Sequence, residues 1–253
     1  INGSNRNVAS WLPTEGTRIK AVVIVCHGLS EHILRYYGIS IELAKRGFAV
    51  YGMDHVSHGK SDGRRAVVSD YHILTSDFIA FGNGMKTLHP ELPVFLLAHS
   101  MGTLVGMASI NHIANLKAVV LSGTAVFSGP AASSPFGIRC LYPLSQTSVA
   151  VCLTSCTSVL DPAGPAAPLV VTEICSDAEE LELIKHDPRM NPPVVTNKTA
   201  YELVKLINDV KQEIPNIKVV IFFLCCMYMG CGYTVLLHCF CLYFIFTVKL
   251  ICF

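Results

Sequence analysis

Charge is what this chain has least of. Only 15% of its 253 residues are Asp, Glu, Lys or Arg, against about a quarter in an ordinary soluble domain. The 19 basic and 18 acidic residues nearly cancel, leaving a formal net charge of +1. Such a balance carries no basic footprint, so nucleic acid is not an expected partner. No charged start followed by an apolar run and a small-residue cleavage site is visible, and no secretory signal is expected. Metal-ligand spacing is missing among the cysteines of the first 218 residues, where Cys26, Cys140, Cys152, Cys156 and Cys175 are scattered and read as reduced thiols of a cytosolic protein. No cofactor is expected. The other six of the eleven cysteines crowd into the last thirty-five residues, Val219 to Phe253, which hold no acidic residue.

What is present is organised around VFLLAHSMGTLVG, Val94 to Gly106. An apolar run leads into Ala98-His99-Ser100-Met101-Gly102, and small residues follow at a spacing that suits a closely packed helix. Strand, sharp turn and helix with a serine at the turn would hold the hydroxyl out above a sheet, with the next N–H aimed where an oxyanion forms. The pattern is A-x-S-x-G, with alanine in the first glycine's place. A chance serine at a strand–helix junction is the alternative.

The flanking chain alternates in type. Ala21 to Cys26 reads as a strand buried on both faces, and His27-Gly28-Leu29-Ser30-Glu31-His32 follows at its C-terminal end. In an open α/β sheet that edge binds ligands, and the Leu29 N–H is placed to supply a second oxyanion donor. A helix is expected from about Tyr36 to Lys45 with Ile39, Leu43 and Ala44 inward, then a strand from Phe48 to Met53. Asp54, His55 and His58 suggest either a metal site or, given the glycines around them, a plain loop. Further expectations are a helix from Tyr71 to Leu88 stopped by His89-Pro90, a strand from Ala118 to Leu121, and a helix from Thr199 to Ile214. Strands alternating with helices indicate an α/β fold with a mostly parallel, doubly wound sheet. Length allows one sizeable domain with an insertion. Between Ala118 and Leu160 the only charged residue is Arg139, which fits an apolar lid over the active edge that touches lipid, or buried core.

Taken together, His27-Gly28 with Glu31-His32 and Arg35-Tyr36, Asp54-His55 with His58-Gly59, Ser61 and Gly63-Arg64, and Leu92-Pro93-Val94 through Gly102 resemble the monoacylglycerol lipases of the α/β-hydrolase superfamily. The resemblance covers about residues 5–218. It implies a hydrolase core over about 20–125, a cap insertion over about 126–195 and a return to the core over about 196–218. It further implies a cytoplasmic, peripherally membrane-associated serine hydrolase whose partners are a membrane surface and a monoacylglycerol, cleaved to fatty acid and glycerol. Ser100 would then be the nucleophile, and Met101 and Leu29 the backbone oxyanion donors. Glu31 and Arg35 match polar positions near the head-group end of that site; a surface pair four apart is the plainer reading. A related peptidase or lysophospholipase on the same fold stays open.

The resemblance implies a triad order of Ser, acid, His, with the acid after the next strand. Ile217 to Leu224 reads as that strand, but Cys225-Cys226-Met227 follow it and His238 lies in LLHCFC. Asp161, Asp177, Asp187 and His186 are downstream of Ser100 but out of matching context, so no triad acid or histidine is assigned. Residues 219–253 do not match the family. They are long and apolar enough for a membrane anchor, although translated non-coding sequence, leaving an incomplete fold with an unpaired sheet edge, is the expectation here. A chain so built is expected to be an impaired hydrolase, the alternative being a non-catalytic or membrane-anchored relative that binds lipid.

Overall fold

The structure, a computed structural model, describes residues 4–125, 156–169, 177–224 and 240–243. Its centre is β2, Ala21–Cys26, in which all six residues are buried. Apolar residues on both faces of a strand require cover on both faces, and the chain supplies it. In parallel register β2 lies between β3 (Phe48–Met53) and β4 (Val94–His99), with Val22 beside Ala49 on one side and Val94 on the other. Beyond β4 come β5 (Leu116–Ser122) and β8 (Val220–Leu224), both parallel.

Alternate residues of these strands feed two cores. Val22, Ile24, Cys26, Leu96 and Ala98 pack with α2 (Tyr71–Leu88), α3 (Met101–Ser109) and α5 (Asn197–Glu213). Val23, Val25 and Val50 pack with Trp11, Ile33 and Ala44, where α1 (Tyr37–Lys45) covers the other face. Each fully buried Val, Leu or Ile contributes about 1.5–3 kcal/mol. The sheet is therefore doubly wound, as its pattern indicates, with central order β3-β2-β4-β5-β8.

Three details depart from expectation. An antiparallel strand β1, Val8–Trp11, flanks β3 and has no counterpart among the expected strands. In α1 the inward positions are Ser40 and Ala44, one turn apart, whereas Ile39 is 48% exposed. Third, the expected bare edge is corrected: β9, Phe240–Tyr243, pairs antiparallel with β8, because an edge strand's free N–H and C=O groups accept any strand that reaches them. The uncharged stretch around Arg139 lies outside the described residues, as does His238.

Part of the segment expected as cap is described. β6 (Pro165–Pro168) pairs antiparallel with β7 (Val194–Thr196), and α4 spans Ala178–His186. Asp177 caps α4 by accepting the Glu180 N–H, with Glu179 and Glu180 in its first turn and Lys185 and His186 in its last, as the helix dipole favours. After α4 the chain is clamped to the core. Asp187 accepts from His32 Nε2 at 2.9 Å and is gripped by Arg189, Nε at 2.8 Å and Nη2 at 2.7 Å. Arg65 donates to the carbonyls of Arg189 and Met190, and Asn191 bonds to Ser30 and Ser57.

Two outcomes are expected. Arg189, helped by His32 and against the cost of burial, holds the Asp187 carboxyl well below the usual carboxylate range. A lowered folded-state pKa contributes stability that is complete above the unfolded value of about 3.9 and is lost as pH falls below it. Urea titrations between pH 5 and pH 2.5 should therefore show a shallower acid loss in Asp187→Asn than in the parent; equal slopes would remove the clamp's role. For backbone packing the comparison is Gly102→Ala with Gly84→Ala. A Cβ at Gly102 would lie 2.3 Å from the Cys26 carbonyl oxygen, whereas none at Gly84 meets anything within 4 Å. The first should destabilise by about 1–3 kcal/mol or more, and the second should stabilise by about 0.4–1 kcal/mol.

Candidate active site

Ser100 sits between the last residue of β4 and the first of α3, with φ 51° and ψ −122°. A positive φ is uncommon for a residue bearing a Cβ and costs on the order of 1–3 kcal/mol, so surrounding packing must hold it. The holding groups are visible. Ser100 N–H donates to Ser122 O at 3.0 Å, and Thr103 returns both its N–H and its hydroxyl to Ser100 O, at 2.9 Å and 2.6 Å. Below the turn, Gly102 meets the Cys26 and His27 carbonyls so closely that no side chain fits, and a Cβ at Gly106 would touch Leu96 and Ala98. Alanine at position 98 is accommodated because that position faces Gly106 and is fully buried. The hydroxyl-bearing residue itself is 9% exposed.

The loop after β2 closes on the serine from the other side. A Cβ at Gly28 would be 2.8 Å from Glu31 Oε1, 3.0 Å from Ser100 Cβ and 3.3 Å from His99 O, so a side chain there would crowd all three. Met101 opens α3, where the first N–H groups of a helix have no intrahelical acceptor. Leu29 packs partly buried between the main core and the cluster of Leu169, Val195 and Ala200. Leu29 follows Gly28 in this loop, and Met101 follows Ser100 in the chain.

Glu31 and Arg35 are not an exposed surface pair, their side chains being 14% and 19% exposed. Glu31 Oε1 accepts the Gly28 N–H and, at 2.7 Å, the Tyr36 hydroxyl. Arg35 Nε lies 3.6 Å from Glu31 Oε2, and its Nη2 is 2.8 Å from Glu180 on α4. The pair links the cap helix to the loop beside Ser100.

The histidine loop is built by hydrogen bonds to backbone. Asp54 accepts from Ile33 N–H, Lys60 N–H and Asn7 Nδ2, and a Cβ at Gly59 would strike its carboxylate. His27, His55 and His58 are buried, and desolvation holds all three imidazoles below the ordinary histidine range, the mutual proximity of His27, His55 and His58 adding to it for His27 and His55. Among the described residues no group of three or more His, Cys, Asp or Glu side chains could hold a metal ion. The four downstream candidates lie elsewhere. Asp161 accepts the Gly164 N–H, Asp177 caps α4, Asp187 faces His32, and His186 is 79% exposed with Nδ1 bonded to Glu182 O. Sequence alone does not reveal the His32–Asp187 pair, because its members are 155 residues apart and only the cap's return brings them together.

Comparison with known proteins places this geometry. The chain is 31% identical over 209 residues to human monoglyceride lipase, a match that takes in 83% of this chain and 64% of that protein. The chain thus spans under two thirds of that relative's length. Among solved structures, a soluble variant of monoglyceride lipase from Saccharomyces cerevisiae in complex with a substrate analog superimposes with a TM-score of 0.67 at 16% identity, covering 88% of this chain and 73% of that one. The monoacylglycerol lipase of Paleococcus ferrophilus gives 0.64 at 21% identity, covering 87% and 76%. These likenesses establish the α/β-hydrolase fold. Residues 17–226, most of the chain and all of the sheet from β2 through β8, match the serine aminopeptidase S33 family, and the chain belongs to that family.

Proposed function

We propose that the chain is a carboxylic-ester hydrolase of the monoacylglycerol lipase type, with Ser100 as the nucleophile that releases fatty acid from a monoacylglycerol and leaves glycerol. The observation that carries this reading is the strained Ser100 backbone between a buried parallel strand and a helix whose first turn admits only glycine at position 102. Strain held in place by packing marks a residue whose direction matters.

In the reaction so read, Ser100 Oγ attacks the ester carbonyl and the carbonyl oxygen becomes an oxyanion. The Leu29 and Met101 N–H groups receive that charge. Loss of one such donor typically costs about 10²–10³ in rate. Collapse of the tetrahedral species expels the glycerol oxygen, and water then releases the fatty acid from Ser100. Each stage needs a base to take a proton and an acid to return it. Glu31 and Arg35, beside Gly28 and reaching α4, lie where a polar head group would meet the cap. Exposed Val159, Leu160 and Leu183, at 77%, 84% and 64%, give the cap segment apolar contacts for a membrane surface. Among the described residues no helix is long and apolar enough to cross a membrane.

A second reading is favoured by one observation. No acid–histidine pair among the described residues is bonded toward Ser100, the His32–Asp187 pair being engaged in the clamp. A lipid-binding relative without turnover would look the same. The two separate in one comparison: the 253-residue chain, the same chain with residues 225–253 replaced by the corresponding segment of human monoglyceride lipase, and Ser100→Ala in each. The hydrolase reading expects little fatty-acid release by the chain alone and strong release by the fusion. Ser100→Ala should then lower the fusion's rate by roughly 10³-fold or more. A folded fusion that binds monoacylglycerol but releases no fatty acid supports the binding relative instead.

A further inference from the structure

The histidines of the loops after β2 and β3 form a built arrangement that the reaction above does not use. His27 is fully buried, and its two ring nitrogens have opposite partners. Nδ1 lies 2.8 Å from the Gly28 carbonyl oxygen, which can only accept, so Nδ1 carries the proton. The His55 N–H donates to Nε2 at 3.0 Å, so Nε2 carries none. Two contacts thus specify one neutral tautomer. His55 returns the contact, its Nε2 donating to His27 O at 3.2 Å, so side chain binds backbone in both directions between the ends of β2 and β3. The rings lie 4.3 Å apart, with His58 5.5 Å from His27. A charged imidazole at position 27 would lose its His55 bond and face two more histidines in a desolvated site.

The consequence lies in the next peptide plane. Across a trans peptide the carbonyl of one residue and the N–H of the next point in opposite directions, and the described chain contains no cis peptide bond. Gly28 is held at both ends, its N–H by Glu31 and its carbonyl by His27. Fixing the Gly28 carbonyl on the buried side turns the Leu29 N–H to the other side. A glycine without that anchor is free to flip the plane.

We propose that His27 is a positioning residue: as the Nδ1–H tautomer fixed by the His55 main chain, it pins the Gly28 carbonyl and so aims the Leu29 N–H at the oxyanion formed on Ser100. The proposal rests on the hydrolase reading for the role of Leu29. It also gives the Asp54-His55-x-x-His58 run a function that needs no metal.

The test uses two variants of the 253-residue chain. His27→Asn keeps a donor near the Nδ1 position but cannot meet the His55 N–H; His27→Gln reaches the Nε2 position and leaves Gly28 O without a donor. Ser100 phosphonylation by a fluorophosphonate, which also develops negative charge on oxygen, is timed for parent, both variants and Ser100→Ala. His27→Asn should retain most of the parent rate and His27→Gln should fall by about 10²-fold, with matching thermal unfolding. Equal rates for Asn and Gln overturn the positioning role while leaving the hydrolase reading intact. Absence of Ser100-dependent labelling in the parent, whose serine has no assigned base, passes the decision to nitrogen-15 spectra of its imidazoles. Should a variant not fold, the same spectra decide. His27 protonated on Nδ1 and not titrating from pH 8 to pH 5 supports the proposal; an Nε2–H tautomer or ordinary titration overturns it.

Discussion

The arrangement depends on one close approach, that of the first turn of α3 to the carbonyl ends of β2. Gly102 lies where the Cys26 and His27 carbonyls leave no room for a methyl group. That contact fixes the height of α3 above the sheet and forces Ser100 into the left-handed region, since the chain must turn from strand to helix within one residue. Gly106 lets the same helix continue down against Leu96 and Ala98. The cost of the turn is met by ordinary packing, in which α2 and α5 cover α3 and leave Leu104, Val105 and Met107 buried. Strain at the serine and density in the core are therefore two aspects of one design.

A second level of order sits on the C-terminal edge of the sheet, where no regular ladder can satisfy the backbone. Polar side chains do so instead. Asp54 takes three donors from three parts of the chain, His27 and His55 bond to each other's backbone, and Glu31 holds the Gly28 N–H. Buried polar groups are tolerated only when paired, and these pairings fix loops that would otherwise be free to move. The cap is joined to this web by the Arg35–Glu180 ion pair and the hydrogen bond from His32 to Asp187. A shift of α4 would therefore be felt beside Ser100 through Arg35 and Glu31.

How much of this is legible in the sequence depends on whether the signal is local. β3 and α2 fall at the expected residues because strand and helix have local punctuation: Asp70 caps α2 by accepting the His72 N–H, and His89-Pro90 stops it. Ser100 is legible because the turn needs small residues at fixed offsets. β1 is not, since VASW has little periodicity and gains its place only by pairing with β3. Ile39 departs from its expected inward place because the phase of a nine-residue helix is set by the sheet it meets, and here Ser40 and Ala44 allow the closer contact. Glu31 and Arg35 look from their spacing like a surface pair; only the fold shows them half-buried, Glu31 bonded to the Gly28 N–H and Arg35 to Glu180 of α4. The His32–Asp187 contact spans the cap and leaves no local trace.

The same geometry separates two parts of the chemistry. In the proposed hydrolase reading, nucleophile and backbone donors come from the ends of β2 and β4, both inside the sheet and both beside close glycine contacts. The acid expected from the family order belongs after β8, whose last residue accepts the Gly123 N–H at 3.3 Å and so brings that strand's end to the rim of the same edge. Beyond Leu224 the sequence holds no Asp or Glu. Oxyanion stabilisation and binding alone leave a triad enzyme roughly 10³–10⁴ above the uncatalysed rate, whereas a serine hydroxyl without a base stays protonated and weakly nucleophilic. The electrostatic half of the site is thus carried by contacts that fold with β2, β4 and α3. In the same reading the proton-transfer half would come from residues C-terminal to β8, a strand paired with β5. The fold of this site and its turnover thus fall, in the proposed reading, to different stretches of chain.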